Sequence, residues 1–499
     1  MVSIVGTLTS PQNWPASTLV LVVTTIIILF ARGLKRSALP PGASWTEKGW
    51  PVLGSLKFFT ARGDFFREGK NKSSNGHFNF YYGTYPIVAL SGLEARQAFY
   101  SARGLNLNAG FRALFASGPD IDQIAGRNLS QYFSTLFKRF TTKEHLSRVI
   151  PYYFRDLEDD LLSFDVSTVM DPFEKLYPIV YKMTHRTTGS HDVANNPKLV
   201  KETLDLFIKI DGSSAIEILF PSLPTPFKLR KLWSGARMHR ILSGIVADRK
   251  KTGRTEDDAM QMLMDSGDND LTISAFILGA LFAGLINTGI QVAWILCYLA
   301  QDPYWYDKAQ TEVDGVVAKY RATVDEDPKN ILSRLTLEQW ESEFPILYAG
   351  LLDSIRLNLP GASMRQNTSG KDIPVGNTGV VIPKDAFAVY PLEDAHMNEN
   401  LYQNPSKWNP GRYLNDRDEG KQEPMGYIGW GAGLHPCLGM RMAKLEITIT
   451  SALFISNFDF KRCDKKGNPT STPLPDFDMN ALQASRPLGQ VFLKCDRRF

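Results

Sequence analysis

The sequence predicts a mainly helical protein with a small β region, preceded by one N-terminal transmembrane helix. Three observations carry this. Most of the chain after residue 90 is helical in pattern, and aromatic and β-branched residues between Phe78 and Leu90 flank the turn Gly83-Thr84-Tyr85-Pro86. Ala16 to Ala31 is an apolar run broken only by Ser17, Thr18, Thr24 and Thr25. Composition sets outer limits: 499 residues suit two or three average domains or one large helical core. A hydrophobic content of 43% with 22% charged residues is that of a globular protein, and a net charge of +4 gives no argument for nucleic acid. Cys297, Cys437, Cys463 and Cys495 show no CxxC spacing, which argues against a disulfide framework or structural zinc and for reduced thiols.

The elements follow in chain order. The first 31 residues carry no charge, and sixteen residues of helix reach about 24 Å, enough with Trp14 in one interface and Arg32, Lys35 and Arg36 in the other. Those cations put the remaining chain in the cytosol. No basic segment precedes the run, which separates it from a cleaved signal peptide. Leu39-Pro40-Pro41-Gly42 and Trp50-Pro51-Val52-Leu53-Gly54-Ser55 then read as a stiff stalk, neither strand nor helix. Leu129 to Leu162 reads as one or two amphipathic helices with Lys138, Arg139, Lys143 and Arg148 on the polar side. The prolines of Phe220 to Phe227 break the pattern into an apolar loop suited to meeting the membrane.

Leu271 to Gln301 has no charged residue. Its length would span a bilayer, but Gly279, Gly284 and Gly289 with Asn287 and Gln291 suit a buried helix that lets a planar group approach its backbone. Asp353 and Arg356 are three residues apart on one helix face, where opposite charges pair. Near the C-terminus, Trp430-Gly431-Ala432-Gly433-Leu434-His435-Pro436-Cys437-Leu438-Gly439 presents one cysteine just before a helical stretch, Met440 to Asn457. Glycines let backbone N–H groups curl around the sulfur, and the positive end of the following helix favours the thiolate, the form that binds a metal.

This loop resembles the cysteine-ligand loop of the cytochrome P-450 family, with Trp430 where phenylalanine is usual. Ala283-Gly284-Leu285-Ile286-Asn287-Thr288 is similar to the family's distal segment, with Ile286 replacing an acid and Asn287 replacing an alcohol. Asp353, Arg356 and Arg412, the last within Trp408-Asn409-Pro410-Gly411-Arg412-Tyr413, resemble its structural triad, with aspartate for the usual glutamate. Microsomal members have a similar proline-rich hinge. The family's Trp-x-x-x-Arg is missing, which leaves Lys138 or Arg139 as substitutes.

The resemblance implies a cytochrome P-450 fold and a haem b (iron protoporphyrin IX) ligated by Cys437 and held also by Arg365, His435, Trp430, Gly433 and Gly439. Arg365 and His435 would serve the propionates, and Asn287 and Thr288 would carry the distal chemistry. It implies residues 1–38 as a membrane anchor with its basic flank, and residues 39–499 as the haem-binding catalytic domain in the cytosol, tied by one span to the endoplasmic reticulum. The expected activity is monooxygenation of a lipophilic terpenoid, sterol or polyketide in secondary metabolism, the motif style being similar to fungal biosynthetic members. Electrons would come from NADPH through a separate NADPH-cytochrome P-450 reductase, with cytochrome b5 as a further partner, docking around Lys138, Arg139, Arg441 and Lys444. Phe111 to Asp122, Phe207 to Phe227, Leu278 to Thr288, Leu359 to Ser363 and Leu482 to Leu488 would wall the pocket. Ile286 and Asn287 leave open an isomerase or dehydratase that acts on a peroxide without reductase. A non-catalytic haem sensor is a third possibility.

Overall fold

The computed structural model describes residues 37–51, 53–114, 129–212 and 223–498 together with positions 23, 24 and 217. The expected anchor at 1–38 and the wall at 115–122 fall largely outside the described residues, as do positions 220–222 of the expected apolar loop, whose last two residues, Pro226 and Phe227, begin a helix. The chain forms two compact units, residues 1–110 with 364–390, and residues 111–363 with 391–499.

The first unit is built on a six-stranded sheet in the order Trp45–Thr46, Phe78–Tyr82, Tyr85–Ala89, Phe387–Pro391, Ala362–Asn367, Leu105–Asn106. The hairpin pairs Phe78 with Ala89 and Tyr82 with Tyr85, so its turn is Gly83-Thr84, with Gly83 at φ +58°. Alternation sends Phe78, Phe80 and Tyr82 to one face, where they meet the rings of Phe58 and Phe65. The expected stalk is part of this unit. Asn79 Nδ2 donates to Pro40 O at 2.7 Å and Val381 N–H to Pro41 O at 3.1 Å, while Trp45–Thr46 pairs in parallel with Phe78–Asn79. Prolines leave carbonyls with no ladder of their own, and the sheet edge and an asparagine satisfy them.

The second unit is helical. Pro172–Thr188, Pro197–Asp211, Pro226–Thr252, Pro303–Tyr320 and Pro328–Ser333 each start with proline behind an Asp, Asn or Thr whose side chain accepts a first-turn N–H. Proline loses nothing at a position whose N–H has no helical partner, and the preceding cap satisfies the next ones. At the centre lies Asp270–Gln301, started by Asn269, whose Oδ1 accepts from Thr272 N–H at 2.8 Å. Of its most apolar 18 residues, 61% are buried within the protein, so its lack of charge reflects a core position. Gly289 exists because a Cβ there would meet the Tyr177 ring at 2.8 Å, and Gly279 faces Phe133 at 3.1 Å. These two glycines therefore admit neighbouring side chains, and only Gly284 serves a cavity.

Two buried polar groups brace this unit. Arg249, with no side-chain exposure, joins Asp258 and Asp192, each at 2.5 Å, and ties the end of Pro226–Thr252 to the His191–Ala194 turn. Glu446, in Met440–Asn457, accepts from Tyr153 O–H at 2.9 Å, and burial pushes its carboxyl up to about 8. A carboxyl raised in the native state above its ordinary 4.5 contributes stability in full below that value and loses it as pH rises through 8.

Arg249→Met should leave the buried Asp258 without its guanidinium, while Asp192 keeps Arg254, and should cost about 3–5 kcal/mol, read as a lowered Tm. Glu446→Gln should be tolerated and should gain on the wild type as pH rises from about 5 to 8, by up to about 1.4 kcal/mol per pH unit. Tm measured across that range checks this, and a constant difference between the two proteins would contradict it.

Candidate active site

A cavity of about 250 Å³ lies within the helical unit. One wall is Ala283, Gly284, Asn287, Thr288 and Gln291 of the central helix. The other is the glycine loop, with Trp430, Cys437, Leu438 and Gly439, continued by Met442, Ala443 and Ile447 of the next helix. Phe133 and Phe137, stacked at 5.4 Å, and Ile355 and Leu359 close the sides.

The loop is a tight hairpin. Gly431–Ala432 pairs antiparallel with His435–Pro436, and Gly431 at φ +71° lies where a Cβ would fall 2.5 Å from His435 O. Gly433 also has positive φ, +59°. Cys437 N–H donates to Trp430 O at 2.6 Å, which closes the turn and leaves the sulfur at the mouth of Met440–Asn457. Burial pushes the Cys437 thiol up, and the N–H groups of Gly439 and Met440 pull it partly back. Cys437 is exposed and lines the cavity, with the two N–H groups close to its sulfur. Gly439 caps the helix, with Phe137 3.3 Å from where its Cβ would be.

Opposite the sulfur, the central helix runs without interruption, so Thr288 stays about 100° round from Asn287. Thr288 lines the cavity all the same, because positions 283, 284, 287, 288 and 291 share one broad face of the helix. Asn287 Oδ1 accepts from Ala484 N–H at 2.9 Å. Ile286 is buried in the core and is not in the cavity wall. Gln291, one turn beyond Asn287, is 2% exposed, and its Oε1 has no hydrogen-bond partner among the described residues. The sequence marks Gln291 only as unsuited to lipid; a second carboxamide four residues after the first, on an uncharged helix, is the signal of a shared polar face.

Asp353, Arg356 and Arg412 come together, all buried. Arg356 Nε donates to Asp353 Oδ1 at 2.7 Å, and Arg412 Nε lies 3.4 Å from the same oxygen without hydrogen-bond alignment. The shorter aspartate leaves Arg412 pairing mainly with Glu419, at 2.7 Å. Arg356 also donates to the carbonyls of His396, Pro405 and Lys407, and Arg412 to those of Gln403, Asn404 and Lys407. Arg365 belongs to the sheet unit. It is 1% exposed, donates to Phe99 O at 2.7 Å and lies over the Phe99 and Tyr100 rings, with no carboxylate beside it among the described residues. Burial pulls it down to about 10.

His435 is exposed in the glycine hairpin. Lys138 and Arg139 end Leu129–Arg139 at the surface, and the cavity residues of that helix are Phe133 and Phe137. Arg441 is paired with Glu341, and Lys444 lies 3.8 Å over the Tyr348 ring. Of the expected pocket walls, Leu278 to Thr288 and Leu359 to Ser363 contribute to this cavity, through Ala283, Gly284, Asn287, Thr288 and Leu359.

The residues fit a flat, largely apolar group with a metal at its centre. One thiol faces an uncharged helix across a largely apolar cavity, and backbone N–H groups stand ready for an anionic sulfur. Comparison with known proteins agrees. Cytochrome P450 monooxygenase AacuE of Aspergillus aculeatus is 30% identical over 452 residues, 88% of this chain and 90% of that one. Cytochrome P450 monooxygenase claM of Passalora fulva is 28% identical, over 92% and 88% of the two chains. Sterol 14-demethylase of Arabidopsis thaliana is 26% identical over 98% of each. In three dimensions, retinoic acid-bound cyanobacterial CYP120A1 matches with a TM-score of 0.71 at 19% identity, over 93% of this chain and all of that one, which establishes the fold. With the family description Cytochrome P450 matching residues 45–487, the chain belongs to the cytochrome P450 family and is a monooxygenase-class oxidoreductase.

Proposed function

We propose that the chain hydroxylates or otherwise oxidises a lipophilic small molecule of terpenoid, sterol or polyketide type in secondary metabolism, with O2 and with NADPH supplied through a separate reductase. The observation that carries this reading is the single thiol facing Asn287 and Thr288 across a largely apolar cavity. In this reading Cys437 is the axial ligand of a haem b, and Trp430, Gly433 and Gly439 shape its loop. The buried Arg365, which has no carboxylate beside it among the described residues, and the exposed His435 serve the propionates. Bound there, haem supplies activation of dioxygen. Asp353, Arg356 and Arg412 hold the segment leading to the ligand loop.

The chain's own residues have separate tasks. Gly439 and Met440 N–H groups steady a negative sulfur, which otherwise loses solvation in the slot. Phe133, Phe137, Ala443 and Ile447 exclude water. Among the described residues of the cavity wall, Thr288 carries the one aliphatic hydroxyl, a group that can both accept and donate a proton at Oγ1.

The N-terminal apolar run anchors this domain, residues 39–499, to the endoplasmic reticulum membrane with the domain in the cytosol, by one span within residues 1–38. Reductase, and cytochrome b5 as a second donor, dock through exposed Lys138 and Arg139, since the charge of Arg441 is spent on Glu341. Such docking weakens with salt. A second reading, rearrangement of a peroxide without reductase, is motivated by the absence of an acid at Ile286 and by an Asn287 whose oxygen is already engaged.

Membranes holding the chain and a reductase, given a lipophilic extract under labelled dioxygen, should place label in a new product only with NADPH; an unlabelled product formed without NADPH would move the assignment to the second reading. Cys437→Ser should abolish the Soret band of the reduced carbon monoxide complex of a thiolate haem, and survival of that band would remove Cys437 as ligand. Thr288→Val should raise the hydrogen peroxide released per NADPH, since a positioned proton donor is worth about 10²–10⁴-fold in rate, and an unchanged ratio would leave Thr288 without a proton role.

A further inference from the structure

The segment 478–488 has no regular secondary structure, yet it is fixed at several points on the helical unit. Ala484 N–H donates to Asn287 Oδ1 at 2.9 Å, and Trp294 Nε1–H, two turns further along the same helix, donates to Ser485 O at 2.8 Å. Ser485 N–H reaches Asn358 O at 3.3 Å. Leu482 O comes so near Gly361 that a Cβ there would be 2.4 Å away. Of these contacts, the one made by a side chain of the cavity wall is Asn287.

A backbone N–H can only donate, so the end of the Asn287 amide that faces it must be the oxygen. What remains for the cavity is the NH2 end, which donates and cannot pass a proton on. The acid–alcohol pattern of the family is thus replaced by a group with different chemistry and a different partner.

We propose that Asn287 is a positioning residue: it clasps the 482–485 turn to the central helix, so that the turn's place beside the cavity, and with it the acceptance of bulky apolar ligands, depends on this side chain. The clasp stands on geometry. Its link to ligand acceptance rests on the haem-thiolate reading above.

Amide hydrogen exchange of the holoprotein tests the clasp directly. Asn287→Leu removes the acceptor, and Asn287→Thr places its oxygen one bond short; each should speed exchange at Ala484 by about fivefold or more, the effect of one lost hydrogen bond. Asn287→Asp keeps an acceptor oxygen in place and should retain protection. Exchange at Ala484 unchanged in both Leu and Thr variants would overturn the proposal, as would equal loss of protection in the Asp variant. A second arm titrates imidazole and 1-dodecylimidazole by their spectral shifts. Asn287→Thr should weaken the long-chain azole selectively, by about fivefold, while imidazole binds as before; parallel changes in both would overturn the link to ligand acceptance. If neither azole shifts the wild-type spectrum, the haem reading fails, and exchange still judges the clasp.

Discussion

Between Leu392 and Gly439 the chain has little regular structure, and its carbonyls must still be satisfied in a buried setting. Two guanidinium groups do this. Arg356 and Arg412 together reach the carbonyls of His396, Gln403, Asn404, Pro405 and Lys407, while Asp353 holds Arg356 in place and accepts from Asn409 N–H at 2.6 Å. A guanidinium offers five donors in a fixed plane, which suits it to collecting scattered carbonyls; lysine could not substitute. The same segment leads directly into the glycine hairpin, so the position of Cys437 rests on this network. The shortened carboxylate of Asp353 is compensated by Glu419, which takes over most of the charge of Arg412.

His396 extends the same logic. Its Nε2 accepts from Ile428 N–H at 3.1 Å, and its ring lies 5.4 Å from that of Tyr427. It is a packing residue that joins the start of the irregular segment to its end. Charge and burial here fix a conformation more than they add stability, since desolvation offsets much of the attraction.

Much of this was legible in the sequence where the signal is local. The helix Met440–Asn457, the hairpin around Gly83-Thr84 and the uncharged helix ending at Gln301 follow from periodicity and turn chemistry. Asp353 with Arg356 is a local pair as well. Arg412 is not, and it was legible through a motif alone. The contact of Asn287 with Ala484 spans 197 positions and involves a backbone N–H, which no residue type announces. Gly279 and Gly289 read as room for a planar group, but the sequence cannot say which ring fills the space, and here they are Phe133 and Tyr177. The proline-rich stretch reads as a stalk because prolines cannot donate, although their carbonyls are free to join a sheet edge. Glu446 looks like an ordinary helical glutamate until burial is known.

The Cys437 thiol combines a raised pKa with N–H donors already turned toward the sulfur. A neutral thiol is a poor nucleophile and a slow substrate for oxidants or disulfide exchange. The donors that would receive a thiolate are thus in place in the polypeptide itself, and in the haem-thiolate reading proposed above the thiol gives up its proton on binding the metal.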